Sequence, residues 1–330
     1  MKDLIKQYMK LSLIVIGKDE SATLPLVCES FKQLAHACDG WVEMIYVDSD
    51  SRDDSVSIVS RFRENNGNLS IRIVKVTGDV NAAVARNVGI RCLDETTDYV
   101  FFLDGDIVFN RGFVFEALAL LEEKKEIGSV TGLLYDYYDR SSDELFPRGD
   151  GTRGMILPQH GGNFIVRREV VESTGKFDEQ LAKHQDIDYS YRIRAAGFFL
   201  YQLNAMIGTH HTESYMTLKR VVSALRHGSY LSTGIFVRKY LFSRFWRDTL
   251  GTDFVLGMIF RCVVLLFGIL SVCSLWCAVV SLAMIVVLLF HVNAGRGESI
   301  TARLVSILLG IQFVAGFFMR PRQKYSIQCL

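Results

Sequence analysis

Proline is scarce, four residues in 330, which excludes long proline-rich linkers between domains. An excess of either charge is missing too. Lys and Arg number 37 against 36 Asp and Glu, for a formal net charge of +1, so no global field recruits nucleic acid and none is expected as a partner. The seven cysteines, Cys28, Cys38, Cys92, Cys262, Cys273, Cys277 and Cys329, are odd in number and scattered, without a CxxC pair. That argues against zinc or dithiol sites and for a reducing compartment. No GxGxxG turn follows the first apolar run, which leads into GKDES, and nicotinamide-dependent chemistry is disfavoured accordingly. A signal-peptide core is also lacking: the apolar run Leu11 to Ile16 is short and meets Lys18, Asp19 and Glu20 at once, so the first domain is expected not to be exported.

What is present is an alternation. The apolar runs LSLIVI, MIYV, IRIVKV and YVFFL are separated by amphipathic stretches at 24–37, 54–64 and 82–93. Strands alternating with helices predict a layered α/β domain with a largely parallel sheet, and runs apolar throughout suit strands buried on both faces. After about residue 250 the character changes. From Phe254 to Phe290 the only charge is Arg261, and a second apolar stretch runs from Leu304 to Met319 before Arg320, Arg322 and Lys324. These stretches predict membrane helices with a cytoplasmic basic tail. Either one long tilted span plus a returning span, or a two-span hairpin plus a final interfacial or re-entrant helix, satisfies that orientation, and the hairpin is the preferred arrangement. Between the two regions, Lys219, Arg220, Arg226, Arg238, Lys239, Arg244 and Arg247 face only Asp248 and are interleaved with Leu, Phe, Tyr and Trp. Such a composition predicts amphipathic helices at a membrane surface, held by anionic head groups. The expected organisation is a catalytic domain over 1–215, basic juxtamembrane helices over 216–250 and transmembrane or interfacial helices over 251–330.

Asp104-Gly105-Asp106 follows YVFFL directly. Two carboxylates on alternate positions at a buried strand's end can both reach one hard cation, and the intervening glycine allows close backbone approach. Carboxyl ends of strands are where α/β folds bind ligands. A second acidic turn, VDSDSRDDS, follows MIYV, with Asp48 at the strand end and Ser51 and Asp53 in the turn that opens the next helix. In NAAVARNVGI, Arg86 and Asn87 stand in an otherwise small, apolar helix, where an Arg fork suits a diphosphate or a nucleobase.

The order of these motifs resembles the large inverting glycosyltransferase family numbered two, with the GT-A fold. VIGKDESATLPLVCESF is similar to the family's first strand and helix, with Asp19-Glu20 for the usual Asn-Glu. VDSDSRDDS resembles its Val-Asp-x-Gly-Ser-Thr-Asp turn, with Asp50 in place of Gly and Arg52 in place of Thr. AVARNVG resembles its Ala-Arg-Asn-x-Gly segment, LDGDI its Asp-x-Asp, and HGGNFIVRREVVESTGKFDE its acceptor-side Gly-Gly segment. HQDIDYSYRIRAAG resembles its catalytic Glu-Asp-x-Asp helix, with Gln185 where Glu is usual. The resemblance covers roughly residues 11–215. It implies a mixed, mostly parallel GT-A sheet followed by C-terminal membrane helices. It also implies a donor side of Glu20, Asp48, Ser51, Arg86 and Asp104, with Asp48 on the base and Asp104 on the ribose or metal. Mg²⁺ or Mn²⁺ would be held mainly by Asp106 with Asp104. One of His210 and His211 would assist, His211 being the candidate. Gly161, Gly162 and Gln185 would line the acceptor side, and Asp186 would be the general base.

The implied partners are a UDP- or GDP-sugar, a lipid-linked or glycan acceptor, and membrane lipids at the inner face of the cytoplasmic membrane. A processive polysaccharide synthase is disfavoured because no Gln-x-x-Arg-Trp string follows Asp186. A non-catalytic sugar-nucleotide-binding scaffold, conceivable because of Gln185, is disfavoured by the joint presence of Asp104, Asp106 and Asp186. Asp188 and Arg192 form an i, i+4 pair, the spacing of structural support along a helix.

Overall fold

The computed structural model describes residues 9–38, 42–138, 145–147, 154–212, 217–226, 228–270, 275–290, 300–319 and 324–330. Its contacts divide the chain into two compact units. One comprises Met1–Glu179, Gln185–Thr212 and Gln323–Leu330, the other Gln180–His184 and Glu213–Arg322.

The first unit is built on one mixed sheet. In chain order its elements are β1 (Leu11–Gly17), α1 (Leu24–Ala37), β2 (Val42–Asp48), α2 (Ser55–Asn65), β3 (Ser70–Gly78), α3 (Ala82–Arg91), β4 (Tyr99–Asp104), β5 (Ile107–Phe109) and α4 (Arg111–Glu123). There follow β6 (Ile127–Tyr138), β7 (Leu145–Pro147), β8 (Met155–Leu157), β9 (Phe164–Arg167), α5 (Arg168–Thr174), α6 (Gln185–Ala195), β10 (Phe199–Thr212) and, from the chain's end, β11 (Tyr325–Cys329). The strands run in the order β11-β3-β2-β1-β4-β9-β6-β10-β5, with β7 on β6 and β8 on β10. Pairs β3-β2, β2-β1, β1-β4 and β6-β10 are parallel, whereas β9, β5, β7, β8 and β11 add antiparallel.

Period-two alternation explains the layers. Leu11, Leu13 and Val15 of β1 join Phe31 and Leu34 of α1 and Phe113 and Leu121 of α4 in one core. Ile14 and Ile16 join Val84 and Val88 of α3 and Tyr189 and Ile193 of α6 in another. Both faces of β1 are therefore covered, which is why its sequence reads as a continuous apolar run. Helix α3 lies especially close to the sheet: a Cβ on Gly89 would stand 2.3 Å from Ile14 Cγ2, so the glycine sets the depth at which Arg86 and Asn87 are presented.

The second unit holds α7 (Leu218–Arg226), α8 (Leu231–Tyr240), α9 (Trp246–Leu250), α10 (Asp253–Leu270), α11 (Leu275–Phe290), α12 (Ile300–Val305), a 3₁₀ turn (Ser306–Leu308) and α13 (Leu309–Phe318). Among the described residues only Ile300–Phe318, 19 residues, is long and apolar enough by itself to cross a membrane; Val255–Leu270 and Trp276–Val286 are shorter apolar stretches. Helix length therefore does not show the expected set of several spans. Of Gly268, Ser271 and Ser274, which could serve a hairpin turn, Ser271 and Ser274 lie outside the described residues. The sequence offered no sign that residues 325–329 return to the sheet.

Candidate active site

The carboxyl ends of the parallel strands bring the acidic motifs together. Asp48 ends β2, Asp104 ends β4, and Glu20 follows β1 in the turn before α1. Asp48 is fully buried; its Oδ2 accepts from the Ser51 amide at 3.1 Å and its Oδ1 from the Tyr46 hydroxyl at 3.3 Å. Ser51 Oγ accepts from the Asp19 amide at 2.9 Å and Glu20 donates its amide to Ser55 Oγ at 2.9 Å, so the first two strand-end turns are tied to each other. Asp50 has φ 61°. A left-handed residue is needed there, which accounts for the glycine usual at this place in the resembling motif.

Arg86 is the centre of the arrangement. It is 1% exposed, its Nη2 donates to Asp104 Oδ1 at 2.6 Å and to the Gly162 carbonyl at 3.2 Å, and its Nε and Nη1 have no partner. A Cβ on Gly162 would stand 2.3 Å from Nη2, so only glycine lets the guanidinium pass beneath that segment. Asn163 holds the other side of Asp104, its Oδ1 accepting from the Asp104 amide at 2.8 Å and its Nδ2 donating to Oδ2 at 3.1 Å. Asn87 anchors the neighbouring chain: its Oδ1 accepts from the Phe177 amide at 2.8 Å and its Nδ2 donates to the Phe177 carbonyl at 3.0 Å. Arg-Asn thus acts as two fasteners, one for the site and one for the scaffold. Gly161 meets no neighbour that a Cβ would touch.

Asp106 and a histidine form the second cluster. The pairing of β10 with β5 and β6 sets His210 opposite Ile107 and Asp136. Its Nε2 lies 3.0 Å from Asp106 Oδ2 and its Nδ1 2.7 Å from Asp136 Oδ1. The His211 ring lies tilted against Tyr137 at 5.0 Å, its Nε2 is 3.4 Å from Thr209 Oγ1, and burial lowers its pKa against the opposing charge of Asp106. The imidazole hydrogen-bonded to the Asp106 carboxylate is that of His210, whereas His211, the candidate from the sequence, donates its backbone amide to the Asp106 carbonyl at 2.9 Å. Asp106 Oδ1 is buried without a partner. Glu20 completes the group. Burial, followed by the negative charge of Asp106, raises its pKa from 4.5 to about 8, with Asp104 adding to the effect and His210 opposing it.

Asp186 stands in the first turn of α6, with Oδ1 accepting from the Ile187 amide at 2.9 Å. Its pKa is raised by burial; the Arg86 charge opposes the rise and Asp104 adds to it. Gln185 beside it is buried, with Oε1 unpartnered. Asp188 faces inward, 3.0 Å from Arg192 Nε, and supports the helix as its i, i+4 spacing implies. Ser190 Oγ accepts from the His160 amide at 3.2 Å, linking α6 to the segment that carries Gly161 and Gly162.

Two positions here were not singled out from the sequence. Asn163 lies inside a motif whose neighbours drew attention, whereas Asp136 stands in the plain strand pattern LLYDYY and meets His210 only through sheet pairing.

Residues 12–175 match the model described as Glycosyl transferase family 2. The chain carries a glycosyl transferase family 2 domain. The chain is 26% identical across 185 residues to the amylovoran biosynthesis glycosyltransferase AmsB of Erwinia amylovora, covering 51% of this chain and 60% of that one. It is 24% identical across 209 residues to the O-antigen chain rhamnosyltransferase WbaN of Salmonella anatum, covering 59% and 62%. The match thus spans about three fifths of the length of these curated relatives. Among solved structures, the mannosyltransferase PcManGT of Pyrobaculum calidifontis, in complex with GDP-Man and Mn²⁺, superposes with a TM-score of 0.55 at 14% identity over 93% of this chain and 86% of that one. S. aureus TarS 1-349 with UDP-GlcNAc gives 0.50 at 14% identity over 94% and 91%. The transferase domain therefore has the GT-A fold, with the mixed, mostly parallel sheet expected.

The residues present fit a divalent cation held in an open site. Among the described residues no three His, Cys, Asp or Glu side chains converge into a ready-made metal cage. Asp106 nevertheless offers an unpartnered buried oxygen beside Asp104, Glu20 and His210, a hard-ligand set suited to a cation that takes its remaining ligands from water and phosphate.

Proposed function

We propose that the chain is a membrane-attached inverting glycosyltransferase. It moves a single sugar from a nucleotide-diphosphate sugar, UDP- or GDP-linked, to a lipid-linked or glycan acceptor at the inner face of the cytoplasmic membrane. The observation that carries this reading is the buried Arg86, which uses one nitrogen to fix Asp104 and Gly162 and keeps its other two, Nε and Nη1, unpaired beside the strand ends. Unsatisfied buried guanidinium donors are costly, and a diphosphate with its many acceptor oxygens is the ligand chemistry that satisfies them.

Asp104, clamped by Arg86 and Asn163, orients the ribose or the cation. Asp106 and His210 would hold Mg²⁺ or Mn²⁺, with Asp136 fixing the imidazole from behind. When bound, the cation neutralises the negative charge that develops on the departing diphosphate. Asp48 and Ser51 shape the turn that would take the base. On the acceptor side, Gly161 and Gly162 let the acceptor approach the sheet edge, and Gln185 borders the base. Asp186 takes the acceptor hydroxyl proton as attack proceeds; its raised pKa makes it a stronger base than an exposed carboxylate. A base on the face opposite the leaving group gives inversion in one displacement.

The names of the relatives support a surface-glycan role: AmsB is named for amylovoran biosynthesis and WbaN for the O-antigen chain. The test is nucleotide release by the membrane-bound protein across a panel of UDP- and GDP-sugars, before and after exhaustive chelation. At least one donor is expected to be turned over only with Mg²⁺ or Mn²⁺ restored; full turnover in the chelated protein overturns the metal assignment, and no turnover or binding of any donor overturns the transferase reading.

A further inference from the structure

The last strand belongs to the same sheet as the first. β11 pairs antiparallel with β3 in the register Tyr325↔Gly78 to Cys329↔Val74, and side chains reinforce the pairing. Arg63 Nη1 donates to the Leu330 carbonyl at 3.1 Å, Arg91 Nη2 to the Tyr325 hydroxyl at 3.0 Å, and that hydroxyl to Glu179 Oε1 at 3.1 Å. A sheet cannot be shared across a bilayer, because each strand's backbone groups need their neighbours within hydrogen-bond reach. The chain between Thr212 and Lys324 therefore leaves and returns on one side, and its number of crossings is even. Three apolar stretches lie in that interval, so they cannot all be spans.

We propose, on the basis of the membrane-attached reading above, that α10 and α11 form a lipid-inserted hairpin that crosses the bilayer twice. The helix singled out by length, α12 to α13, lies instead at head-group level, and β11 is the return strand that locks this topology.

Polar ties decide which helix stays at the surface. Gln312 Nε2 donates to the carbonyls of Ala224 and Leu225 at 3.2 and 2.6 Å, its Oε1 accepts from the Tyr230 amide at 3.2 Å, and Arg238 Nη1 donates to the Phe317 carbonyl at 2.8 Å. α13 also touches α8 backbone to backbone, since a Cβ on Gly316 would stand 1.9 Å from the Leu231 carbonyl. Its partners α7 and α8 carry Lys219, Arg220, Arg226, Arg238 and Lys239, too much charge for hydrocarbon but suited to anionic head groups. α8 is moreover bonded to the excursion Gln180–His184, which the chain makes between Glu179 and Gln185. There the Lys183 amide donates to Ser232 Oγ at 3.1 Å and His184 Nε2 lies 3.1 Å from Thr233 Oγ1.

The hairpin has the opposite character. α10 and α11, 18 and 16 residues, are about 27 and 24 Å long, close to a hydrocarbon core of about 30 Å. Their exposed residues are apolar, Leu266 and Ile269 on one helix and Val279 and Leu282 on the other. Beyond Asp253 at the first position of α10, Arg261 is the one charged residue of the two helices, and it reaches back a turn to the Gly257 carbonyl at 2.8 Å and to Ser306 Oγ at 3.3 Å. Trp276, 80% exposed at the start of α11, stands where a far-side interfacial aromatic belongs.

The test uses the full chain in sealed membrane vesicles of both orientations. Thr77 and Ser326 face each other in register with hydroxyls 2.6 Å apart, so T77C/S326C should cross-link under mild oxidation in most molecules, and S326C alone should not. A membrane-impermeant maleimide should reach Lys124→Cys and Cys329 from one face and Trp276→Cys from the other, and alkaline carbonate should leave the chain in the membrane. Cys329 labelled from the face opposite Lys124→Cys, or no T77C/S326C cross-link, overturns the return strand while leaving transferase activity as an independent readout. Trp276→Cys labelled from the same face as Lys124→Cys overturns the double crossing, and carbonate release overturns membrane insertion together with it.

Discussion

Cation binding at neutral pH is expected to release a proton from Glu20. In the metal-free fold its pKa is raised from 4.5 to about 8, first by burial and then by the charge of Asp106. At pH 7 a group of that pKa is about nine-tenths protonated. A divalent cation among Asp104, Asp106 and His210 reverses the local charge and favours the carboxylate, so binding should release between about half a proton and one proton per ion at pH 7. Above pH 9 release should vanish, because Glu20 is already ionised. The same shift makes a stability statement. The folded pKa lies above the unfolded one, so the stabilisation is complete below about pH 4.5 and is lost as pH rises through about 8. At 1.36 kcal/mol per pKa unit the ceiling is about 4–5 kcal/mol, and Glu20's partial exposure reduces it to about 2–3. The assay is titration calorimetry with Mn²⁺ in buffers of different ionisation enthalpy, on wild type and Glu20→Gln, with melting curves from pH 5 to 9. Glu20→Gln should release no proton and flatten the metal-free pH profile. Proton release that is zero in wild type, or equal in both proteins, refutes Glu20 as the titrating group.

Asp50→Gly should change stability by between about 0 and +1 kcal/mol, since relief of left-handed strain of about 1–2 kcal/mol is offset by glycine's backbone entropy; chemical denaturation would show whether the sign is reversed. Asp188→Ala leaves the Arg192 guanidinium without its buried partner and should cost about 3–5 kcal/mol in the same measurement, unlike replacement of exposed carboxylates. Asp136→Asn loses the carboxylate behind His210 Nδ1 and should weaken Mn²⁺ binding about 10- to 100-fold in calorimetry with the melting temperature little changed; unaltered affinity would show His210 to be structural.

The transferase domain was legible where local chemistry and tertiary role coincide. Strands buried on both faces wrote themselves as apolar runs, and α1 spans the predicted 24–37. Asp104, Asp106 and Arg86 could be picked out because charge in an apolar context is conspicuous. The half of the sheet built from β6 to β10 was not legible, because its antiparallel additions are short and its register depends on partners far along the chain. For the same reason the roles of His210 and His211 were not legible: adjacent residues on a strand face opposite sides, and only pairing with β5 and β6 decides which imidazole hydrogen-bonds the Asp106 carboxylate. β11 was hidden more completely, since YSIQC has no strong pattern and gains its partner only when the chain returns from the second unit.

The central claim is that Asp186 removes the acceptor proton while Asp106 serves the donor. Asp186→Asn keeps size and polarity but cannot take a proton, and Asp106→Asn loses a carboxylate oxygen whose partner in the fold is missing. The decisive measurement is sugar transfer and donor affinity, taken separately on both variants with the same nucleotide-sugar and Mn²⁺. Asp186→Asn should transfer about two to four orders of magnitude more slowly with donor affinity within a fewfold of wild type, and Asp106→Asn should lose both. Transfer by Asp186→Asn at the wild-type rate contradicts the account.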